Sequence, residues 1–533
     1  MSEETNDTEV EHLSAASSAE EDLDQVHAVE TSAENVKPKK KKNSKKKKKK
    51  ATIGSVIEES TKASPVQSDE TVSAARSSIK PSGIKSIEEL LNQLALSSDQ
   101  QQTKSMEDYR FWRTQPVTRF DEKIEDEGPI DNSKTVDEVP DTPYPLLKEF
   151  EWATIDLSDS AQMEEVFELL YGNYVEDSDA SFRFHYSLEF LKWANCAPNY
   201  KSDWHVGVRV VATKKLVAFI SGIPVTLRIR NTTMKSAEVN FICIHKKLRS
   251  KRLAPLLIRE VTRRINKQGI WQALYTAGVV LPSPVSTCRY YHRSLNWAKL
   301  NDIGFSALPP NMTRSKMILK YKLPAVTSIP GIRLMQRSDI DQVFDLLNAY
   351  LAKFELTQVF EKEELLHWLM ADYGLGEKSN DEKDPKRFIW AYVVENANGT
   401  ITDMVSFYKL PSSVLGNDKH DSLNAAYAFY YASSVALEST SRTDKVATDK
   451  LATRLCELFN DILIVAKNLD FDVFNALTLL DNPLFLNELK FGAGDGFLNY
   501  YVFNYKAFPI GGGYFPDGRL NREERSGVAV VML

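Results

Sequence analysis

The sequence predicts an α/β fold of two similar halves preceded by a disordered tail. Three observations lead to this prediction: residues 1–100 are rich in Ser, Glu, Asp and Lys, the remainder repeats one order of helices and strands, and apolar patterning continues to the last residue. Of the 533 residues, 42% are hydrophobic and 10% aromatic, so the chain can bury sizeable cores in one large domain or two of ordinary size.

The predicted tail covers residues 1–100, where aromatic residues are too few to repay the entropy of ordering. Lysines at 39–42 and 45–50 form a block, so the formal net charge of -6 hides a strong asymmetry. Such a block fits a nuclear localisation signal, a contact with nucleic acid or an anionic membrane, or a solvated tail, and charge alone does not separate these. Ribosome association through the block is a further expectation.

The folded part contains an internal repeat. Predicted helices at 161–171 and 339–350 carry apolar residues at the same helical spacing. Each is followed by two paired strands, a third strand, a second helix and a last strand, which makes two α/β halves the economical explanation. The predicted elements are strands 206–210 with 217–220, 238–244 and 271–275 around helix 255–265, then strands 389–394 with 405–408, 425–432 and 471–477 around helix 451–467. A linker at 323–331 separates them.

A basic loop joins strand 238–244 to the next helix. Between His245 and Arg252 it carries three lysines and two arginines. Free N–H groups at a helix N-terminus, the positive end of the helix dipole and these cations would together hold a pyrophosphate. A solvated basic loop is the alternative. The matching loop at 433–443 is far less basic, so only one half is expected to bind a phosphorylated ligand.

Three further segments carry candidate chemistry, each with a plainer alternative. Aromatic residues crowd 109–117 ahead of any regular element, which fits a clamp over a ligand or a strap against the core. The acidic cluster at 176–179 fits a basic peptide or a solvated face. Residues 527–533 are apolar to the end, so a terminal strand is expected to be buried, with the terminal carboxylate either inside, where burial would make it a stronger base, or emerging into solvent.

The cysteines and the chain start bear on compartment and cofactors. Four scattered cysteines without CxxC spacing indicate neither a zinc site nor a disulfide framework, so no metal is expected. The first residues are acidic and polar, and no apolar run reaches membrane-spanning length. A cytoplasmic protein without a membrane span is therefore expected.

Several long strings resemble the N-myristoyltransferase family over residues 109–533. The two signature strings of that family stand here as Glu-Val-Asn-Phe-Ile-Cys-Ile-His-Lys at 238–246 and Lys-Phe-Gly-Ala-Gly-Asp-Gly at 490–496. Shorter matching strings lie at 109–117, 182–184, 275–278 and 287–293, in the order of the family.

The resemblance implies two fused acetyltransferase-like (GNAT) halves related by a pseudo-two-fold axis. The half at 101–325 is then expected to bind myristoyl-CoA, and the half at 326–533 to bind peptide and end in the catalytic C-terminus. The implied activity is glycylpeptide N-tetradecanoyltransferase: an acyltransferase that moves myristate to the N-terminal glycine of nascent or mature proteins in the cytosol. Myristoyl-CoA is a co-substrate in this interpretation, no cofactor is bound permanently, and a monomer is expected.

The resemblance also implies residue roles. The amides of Phe241 and Ile242 would form an oxyanion hole, the carboxylate of Leu533 would be the base, and Asn240 and Thr276 would lie near the amine. Direct attack on the thioester makes a covalent intermediate unnecessary. The expected myristoyl-CoA contacts are Tyr109, Arg110, Phe111, Trp112, Phe241, Ile242, Cys243, Ile244, Arg249, Ser250, Lys251, Arg252, Leu253 and Ala254. The expected peptide contacts are Tyr174, Asp177, Phe182, Gly278, Tyr290, His292, Asp495 and Gly496.

Departures from the family pattern leave parts of this interpretation open. Ser178 interrupts the usual acidic run, Ala428 stands where many members have Ser, and 508–526 resembles an insertion before the last strand. Two other functions remain alternatives. An acetyltransferase of shorter chain preference fits the fold and the basic loop but leaves the apolar C-terminus without a role. The other alternative is an acyl-CoA-binding or nucleic-acid-binding protein without catalysis, and nucleic-acid binding would rest on the lysine block alone.

Overall fold

The computed structural model of this chain describes residues 105–174, 181–371, 382–384 and 386–533. The predicted tail at 1–100 with its lysine block, and the candidate peptide contact Asp177, lie outside the described residues. All described residues belong to one compact unit. Within those ranges no helix is long and apolar enough to cross a membrane, and no group of three or more His, Cys, Asp or Glu side chains is arranged to hold a metal ion.

The strands and helices, in chain order, are as follows. The strands are β1 (Gly128–Pro129), β2 (Phe150–Thr154), β3 (Phe182–Phe184), β4 (Val206–Val210), β5 (Leu216–Ile229), β6 (Thr232–Ile244), β7 (Ala273–Ala277), β8 (Ser286–Ser294), β9 (Ile332–Leu334), β10 (Leu356–Gln358), β11 (Ile389–Glu395), β12 (Ile401–Lys409), β13 (Ser412–Val414), β14 (Ser422–Leu423), β15 (Ala425–Ser433), β16 (Val473–Leu477), β17 (Gly492–Phe503), β18 (Tyr505–Lys506) and β19 (Val528–Ala529). The α-helices are α1 (Ser160–Asn173), α2 (Leu188–Asn195), α3 (Leu253–Asn266), α4 (Trp297–Asp302), α5 (Arg314–Lys320), α6 (Ile340–Leu351), α7 (Lys362–Met370) and α8 (Lys445–Asn468).

The predicted repeat is present in the central sheet. In the first half β4, β5 and β6 are antiparallel, and α3 then crosses over to β7, which is parallel to β6. In the second half β11, β12 and β15 are antiparallel, and α8 crosses over to β16, which is parallel to β15. A parallel pair requires such a crossover, usually a helix. The predicted order of elements is therefore confirmed, but several elements are longer than predicted: β5 extends to Ile229 instead of 220, and α8 begins at Lys445 instead of 451.

The two halves share strands. The sheet order is β19-β10-β5-β6-β7-β17-β8-β16-β15-β12-β11-β9, so β17 of the second half lies between β7 and β8 of the first. Strands β8 and β17 were not predicted, because their sequences are interrupted by polar residues and glycines rather than alternating strictly. The division at 325/326 stays a prediction.

Local sequence explains the helices that carry the repeat. Helix α1 buries Met163, Val166 and Leu170 at helical spacing, and the Asp159 carboxylate caps it by accepting hydrogen bonds from the first-turn N–H groups. Helix α6 buries an equivalent stripe that includes Val343. Both helices pack into the main hydrophobic core.

The C-terminal segment corrects one prediction. A strand over 527–533 was expected, but only β19 forms, in parallel pairing with β10. Beyond it, side chains replace the strand ladder: the Tyr500 hydroxyl donates to the carbonyl oxygen of Val530 at 3.0 Å, and the Val531 N–H donates to the Tyr430 hydroxyl oxygen at 3.1 Å. The segment is buried up to Met532, and Leu533 is half-buried. The chain end therefore leaves the sheet edge and turns inward.

Candidate active site

Strand β6 contains a bulge within the first signature string, at residues 240–243. Phe219 of β5 faces Cys243, but Ser221 faces Asn240, so β6 has one residue more than its partner at this point. Phe241 takes up the difference with a φ of 52°, in the left-handed region that non-glycine residues rarely adopt. A bulge disrupts the local ladder and redirects backbone groups, and strain of this kind is concentrated at functional sites.

The Asn240 side chain connects the bulge to the chain end. Its Oδ1 accepts a hydrogen bond from the Phe241 N–H at 2.8 Å, and its Nδ2 donates to a carboxyl oxygen of Leu533 at 2.8 Å. The structure thus brings together three of the predicted catalytic residues, which are up to 293 positions apart.

A cavity of about 120 Å³ opens beside this bridge. Its walls come from β6, β7, helix α3, the aromatic segment near 112 and the chain end. The described lining residues are Trp112, Tyr174, Tyr186, Ile220, Val239, Asn240, Phe241, Ile242, Ile258, Val261, Thr262, Ala273, Tyr275, Thr276, Ala277, Gly278, Leu281, Phe503 and Leu533. Most of these side chains are apolar or aromatic, so the cavity suits an apolar ligand next to a few polar groups.

The aromatic segment forms part of this wall. The Trp112 ring stacks on Tyr275, with ring centroids 5.6 Å apart, and the Tyr109 hydroxyl donates to the carbonyl oxygen of Val280 at 2.9 Å. Phe111 is buried against the same cluster, whereas Arg110 is exposed. The aromatic segment therefore packs against the core, and Trp112 also lines the cavity.

The basic loop leads directly into the N-terminus of helix α3. Helix α3 starts at Leu253, two residues before the predicted start, with Arg252 as its N-cap. Ser250 and Arg252 both have positive φ values, the Arg252 side chain does not cap the helix, and its first turn has no acidic residue. Leu253 and Ala254 are buried, whereas Ser250 and Lys251 are exposed. Backbone N–H groups in such a turn, together with the helix dipole, favour an anion.

Two predicted contacts of the acyl-CoA lie deeper than the cavity wall. Cys243 and Ile244 are buried in β6 below the bulge. Burial raises the pKa of the Cys243 thiol to about 12, which keeps it protonated and makes it a poor nucleophile. Arg249 is held by a 2.6 Å hydrogen bond from its Nη2 to the carbonyl oxygen of Asn173.

A second cavity, of about 330 Å³, is lined in part by the start of β17 and contains further candidate peptide contacts. Tyr290, His292 and Asp495 line it. His292 Nδ1 lies 2.8 Å from Asn475 Oδ1, and burial lowers the pKa of this imidazole, which favours the neutral ring at pH 7. At Gly494 a Cβ would come within 2.4 Å of His292 Nε2, so this position admits only glycine.

The remaining candidate peptide contacts differ in position. Tyr174 and Gly278 line the first cavity with Thr276. Phe182 packs edge-on against Phe305, which lines the second cavity, at 6.0 Å between ring centroids. Gly496 is buried in β17 and is not among the described residues that line either cavity.

One buried carboxyl was missed in the sequence. Glu238 is 8% exposed, and burial raises its pKa to about 7. Its charge acts on Tyr430 and Tyr500, the two tyrosines that hold the C-terminal segment. The signal was available: Glu238 precedes Asn240 by two positions in a strand, so both side chains lie on one face.

The chain end and the bulged strand meet at one apolar cavity, and later turns of helix α3, which follows the basic loop, form part of its wall. This arrangement fits an acyltransferase. Family models described as myristoyl-CoA:protein N-myristoyltransferase match residues 129–288 for the N-terminal domain and 302–531 for the C-terminal domain. The chain therefore belongs to the N-myristoyltransferase family, and the acyltransferase prediction is confirmed.

Relatives and solved structures agree with this assignment. Glycylpeptide N-tetradecanoyltransferase of Eremothecium gossypii is 53% identical over 453 residues, which cover 84% of this chain and 98% of that protein. The protein of the same name from Saccharomyces cerevisiae is 53% identical over 455 residues, with the same coverage. A crystal structure of Saccharomyces cerevisiae N-myristoyltransferase with bound myristoyl-CoA superposes with a TM-score of 0.79 and covers 84% of this chain and all of that one. The mixed α/β fold of two halves is confirmed.

Proposed function

We propose that this chain transfers myristate from myristoyl-CoA to the N-terminal glycine of proteins, with the Leu533 carboxylate as the base. The observation that carries the proposal is the 2.8 Å hydrogen bond from Asn240 Nδ2 to the terminal carboxyl oxygen, next to the bulge and the apolar cavity. Bound myristoyl-CoA in the structure of the yeast relative supports the choice of acyl donor.

The acyl donor would be held at both ends. Its phosphates would lie at the N-terminus of α3, where Lys251 and Arg252 add positive charge to the positive end of the helix dipole. Its thioester would then lie at the bulge and its acyl chain in the apolar cavity, near Trp112. Residues 101–325 would supply most of this site, and residues 326–533 most of the peptide site.

The reaction requires one proton transfer before the attack and one after it. The carboxylate of Leu533 takes a proton from the glycine ammonium, whose pKa of about 7.8 makes this step modest at neutral pH. The free amine attacks the thioester carbon, a C–N bond forms, the C–S bond breaks, and the second amine proton passes to the departing thiolate. Amide, coenzyme A thiol and protonated carboxyl are the balanced products, and the carboxyl then returns its proton to solvent.

The negative charge that develops on the thioester oxygen would be stabilised by the amides of Phe241 and Ile242. The Phe241 N–H now donates to the neutral Asn240 Oδ1, and an oxyanion is a stronger acceptor that would compete for it. One such donor is typically worth about 3–4 kcal/mol in the transition state. The Asn240 side chain therefore has two expected roles. Its Oδ1 positions the Phe241 N–H, and its Nδ2 orients the Leu533 carboxylate that acts as the base.

The peptide would approach along the second cavity. Thr276 lies in the wall of the first cavity and is the expected neighbour of the incoming amine. Neutral His292 and exposed Asp495 would contact the residues that follow the glycine, and Asp495 suits a basic peptide. Asp177 and the neighbouring acidic positions are expected to add to this preference.

Transfer of labelled myristate from myristoyl-CoA to a Gly-starting peptide tests the proposal. The intact chain is compared with a chain lacking Leu533 and with one extended by a few residues. We expect transfer by the intact chain and severe loss in both others. Competition with shorter acyl-CoAs separates this function from an acetyltransferase, which would prefer them. A folded intact chain that binds acyl-CoA without transferring it would contradict the proposal.

We further propose that the chain works in the cytosol as a monomer and that the lysine block holds it at ribosomes. Co-sedimentation of the full chain with ribosomes, compared with a chain whose lysines at 39–42 and 45–50 are glutamine, tests the ribosome contact. Equal sedimentation of the two chains would contradict it.

A further inference from the structure

Helix α5 presents apolar side chains to solvent. Leu319 is 69% exposed and Ile318 is 47% exposed, whereas Met317 is only 3% exposed and anchors the helix. On a helix, residue 319 lies almost opposite residue 317, so the Leu319 side chain points away from the buried side of α5. A single exposed leucine is ordinary, but two adjacent large apolar residues at the outer tip of one helix are not explained by packing.

Positive charge surrounds this tip. From 303 to 338 the chain has no Asp or Glu. Arg314 is paired with Asp302, but Lys316 and Lys322, which flank the tip, are exposed and have no acidic partner within the described part of the chain. The surface defined by Lys316, Ile318, Leu319 and Lys322, here named the α5 tip, therefore combines apolar contact area with unpaired cations.

We propose that the α5 tip docks on an anionic lipid surface. Apolar side chains that enter the interfacial region and lysines that meet anionic headgroups are the two contributions by which peripheral proteins bind bilayers. A nucleic acid would use the lysines but would leave Leu319 and Ile318 without a role. The exposed apolar pair therefore favours lipid over RNA.

The position of α5 gives this contact a consequence. The inner side of the helix lines the second cavity through Met317 and Lys320, so a docked tip would hold that cavity close to the bilayer. A myristoylated product would then leave the enzyme where its acyl chain can insert. This consequence rests on the proposed function, whereas the lipid contact itself does not.

Vesicle binding tests the proposal with the full chain. Because the lysine block of the tail also attracts anionic vesicles, all variants are made in a full-length background with the lysines at 39–42 and 45–50 changed to glutamine. Phosphatidylcholine vesicles with and without phosphatidylserine are the probes. We expect binding only with phosphatidylserine, about ten-fold weaker for Ile318→Ser/Leu319→Ser and about twenty-fold weaker for Lys316→Gln/Lys322→Gln at low salt.

A matched control removes exposed apolar residues elsewhere. Leu147 and Val446 are 63% and 68% exposed, so Leu147→Ser/Val446→Ser is expected to bind as the parent does. Equal loss in this control, or undiminished binding of the Ile318→Ser/Leu319→Ser variant, would overturn the proposal. A lysine variant that loses RNA and vesicle binding alike, while the apolar variant loses neither, would assign the surface to RNA.

Transfer to a soluble Gly-starting peptide is measured on the same preparations. The α5-tip variants are expected to keep it, because none of the four substituted side chains lines either cavity among the described residues. A parent chain that binds vesicles but does not transfer myristate would contradict the proposed function and leave the lipid contact standing.

Discussion

The two halves carry the same bulge at the same place and use it differently. In β5 and β6, residues 219–221 face the longer stretch 240–243; in β12 and β15, residues 405–407 face the longer stretch 428–431. Only the first bulge has a residue with positive φ, Phe241, whereas no residue of β15 does. The duplicated scaffold thus keeps its geometry in both copies, and the strained backbone occurs in one copy only.

Both bulges converge on the chain end. The register aligns Asn240 with Ala428, so the first bulge holds the terminal carboxyl through an amide that the second lacks. The second bulge instead contacts the chain two residues earlier, where the Tyr430 hydroxyl accepts the Val531 N–H. One copy therefore carries the expected chemistry, and the other positions the segment that supplies it.

The helices after the two bulges differ in the same sense. The N-cap residue of α3, Arg252, does not cap its helix through its side chain, whereas the Asp444 carboxylate caps α8 by accepting hydrogen bonds from the N–H groups of Val446 and Ala447. Near α8, Arg442 and Arg525 are paired with Asp481. The second helix N-terminus is capped within the protein, whereas the exposed Lys251 and the half-buried Arg252 precede the first.

Substitution of Asn240 is expected to have the largest effect. Asn240→Ala removes the hydrogen bond that orients the carboxylate and disturbs the neighbouring amide, so kcat should fall about 100-fold to 1,000-fold. Steady-state kinetics with a Gly-starting peptide measures this. Ala428→Ser, at the matching position of the second bulge, is the control and should leave kcat close to that of the parent. A similar loss of kcat in both variants would show that the two bulges do not differ in function.

The buried carboxyl of Glu238 lies in β6, the strand that carries the first bulge, and its titration predicts how the stability of the protein depends on pH. Burial raises its pKa from 4.5 in the unfolded chain to about 7, so between these values the folded chain holds a proton that the unfolded chain has released. The contribution of Glu238 to the free energy of unfolding therefore falls as pH rises through this window. Above it, Glu238→Gln should be more stable than the parent by about 3 kcal/mol, with little difference at low pH. Denaturant unfolding of both chains across this window measures the difference, and a constant difference would contradict a buried, unpaired carboxylate.

The two helix N-termini can be compared through their cations. Lys251→Ala/Arg252→Ala should raise the KM for myristoyl-CoA about ten-fold and leave kcat nearly unchanged, because phosphate contacts contribute to binding rather than to the transition state. Lys445→Ala in the first turn of α8 should change neither constant. A KM effect from Lys445→Ala as large as that of the pair would mean that the second N-terminus also meets the ligand.

The smallest expected effect concerns the tyrosine hydroxyls that hold the C-terminal segment. Tyr430→Phe and Tyr500→Phe each remove one hydrogen bond to this segment, so each should lower kcat about five-fold, corresponding to ~1 kcal/mol. The same assay measures both, and the double variant tests whether the effects add. Unchanged kcat in the double variant would show that β19 and Asn240 suffice to position the chain end.

The repeat was predictable because its elements have clear periodicity. The helices near 161 and 340 and the strands near 206, 389 and 425 bury regular apolar stripes, and local patterning determines them. Strands β8 and β17 were not predictable in this way. Strand β17 inserts between strands of the other half, and its glycine-rich start bulges away from β8. Non-local pairing of this kind leaves no periodic signal.

The residues of the site were predictable from short sequence strings, but their arrangement in space was not. The strings around 240 and 276 identified residues that line one cavity, and the string around 250 identified the basic loop before helix α3. The bond between Asn240 and Leu533 spans 293 positions, and the C-terminal segment was predicted as a longer strand, since apolar composition does not reveal where hydroxyl groups replace a ladder. Glu238 was overlooked because a glutamate looks solvated unless the burial of its strand is known.

If the terminal carboxylate is the base, replacing it by a carboxamide should abolish most of the transfer. A semisynthetic chain ending in Leu533 carboxamide keeps the length and shape of the segment and can still accept the Asn240 hydrogen bond. In the carboxamide chain we expect kcat to fall about 100-fold or more at neutral pH, with unchanged binding of myristoyl-CoA. We also expect kcat to recover in part as pH rises toward the pKa of the glycine amine, about 7.8. A carboxamide chain that transfers myristate at the rate of the parent across this range would contradict the role of the terminal carboxylate as the base.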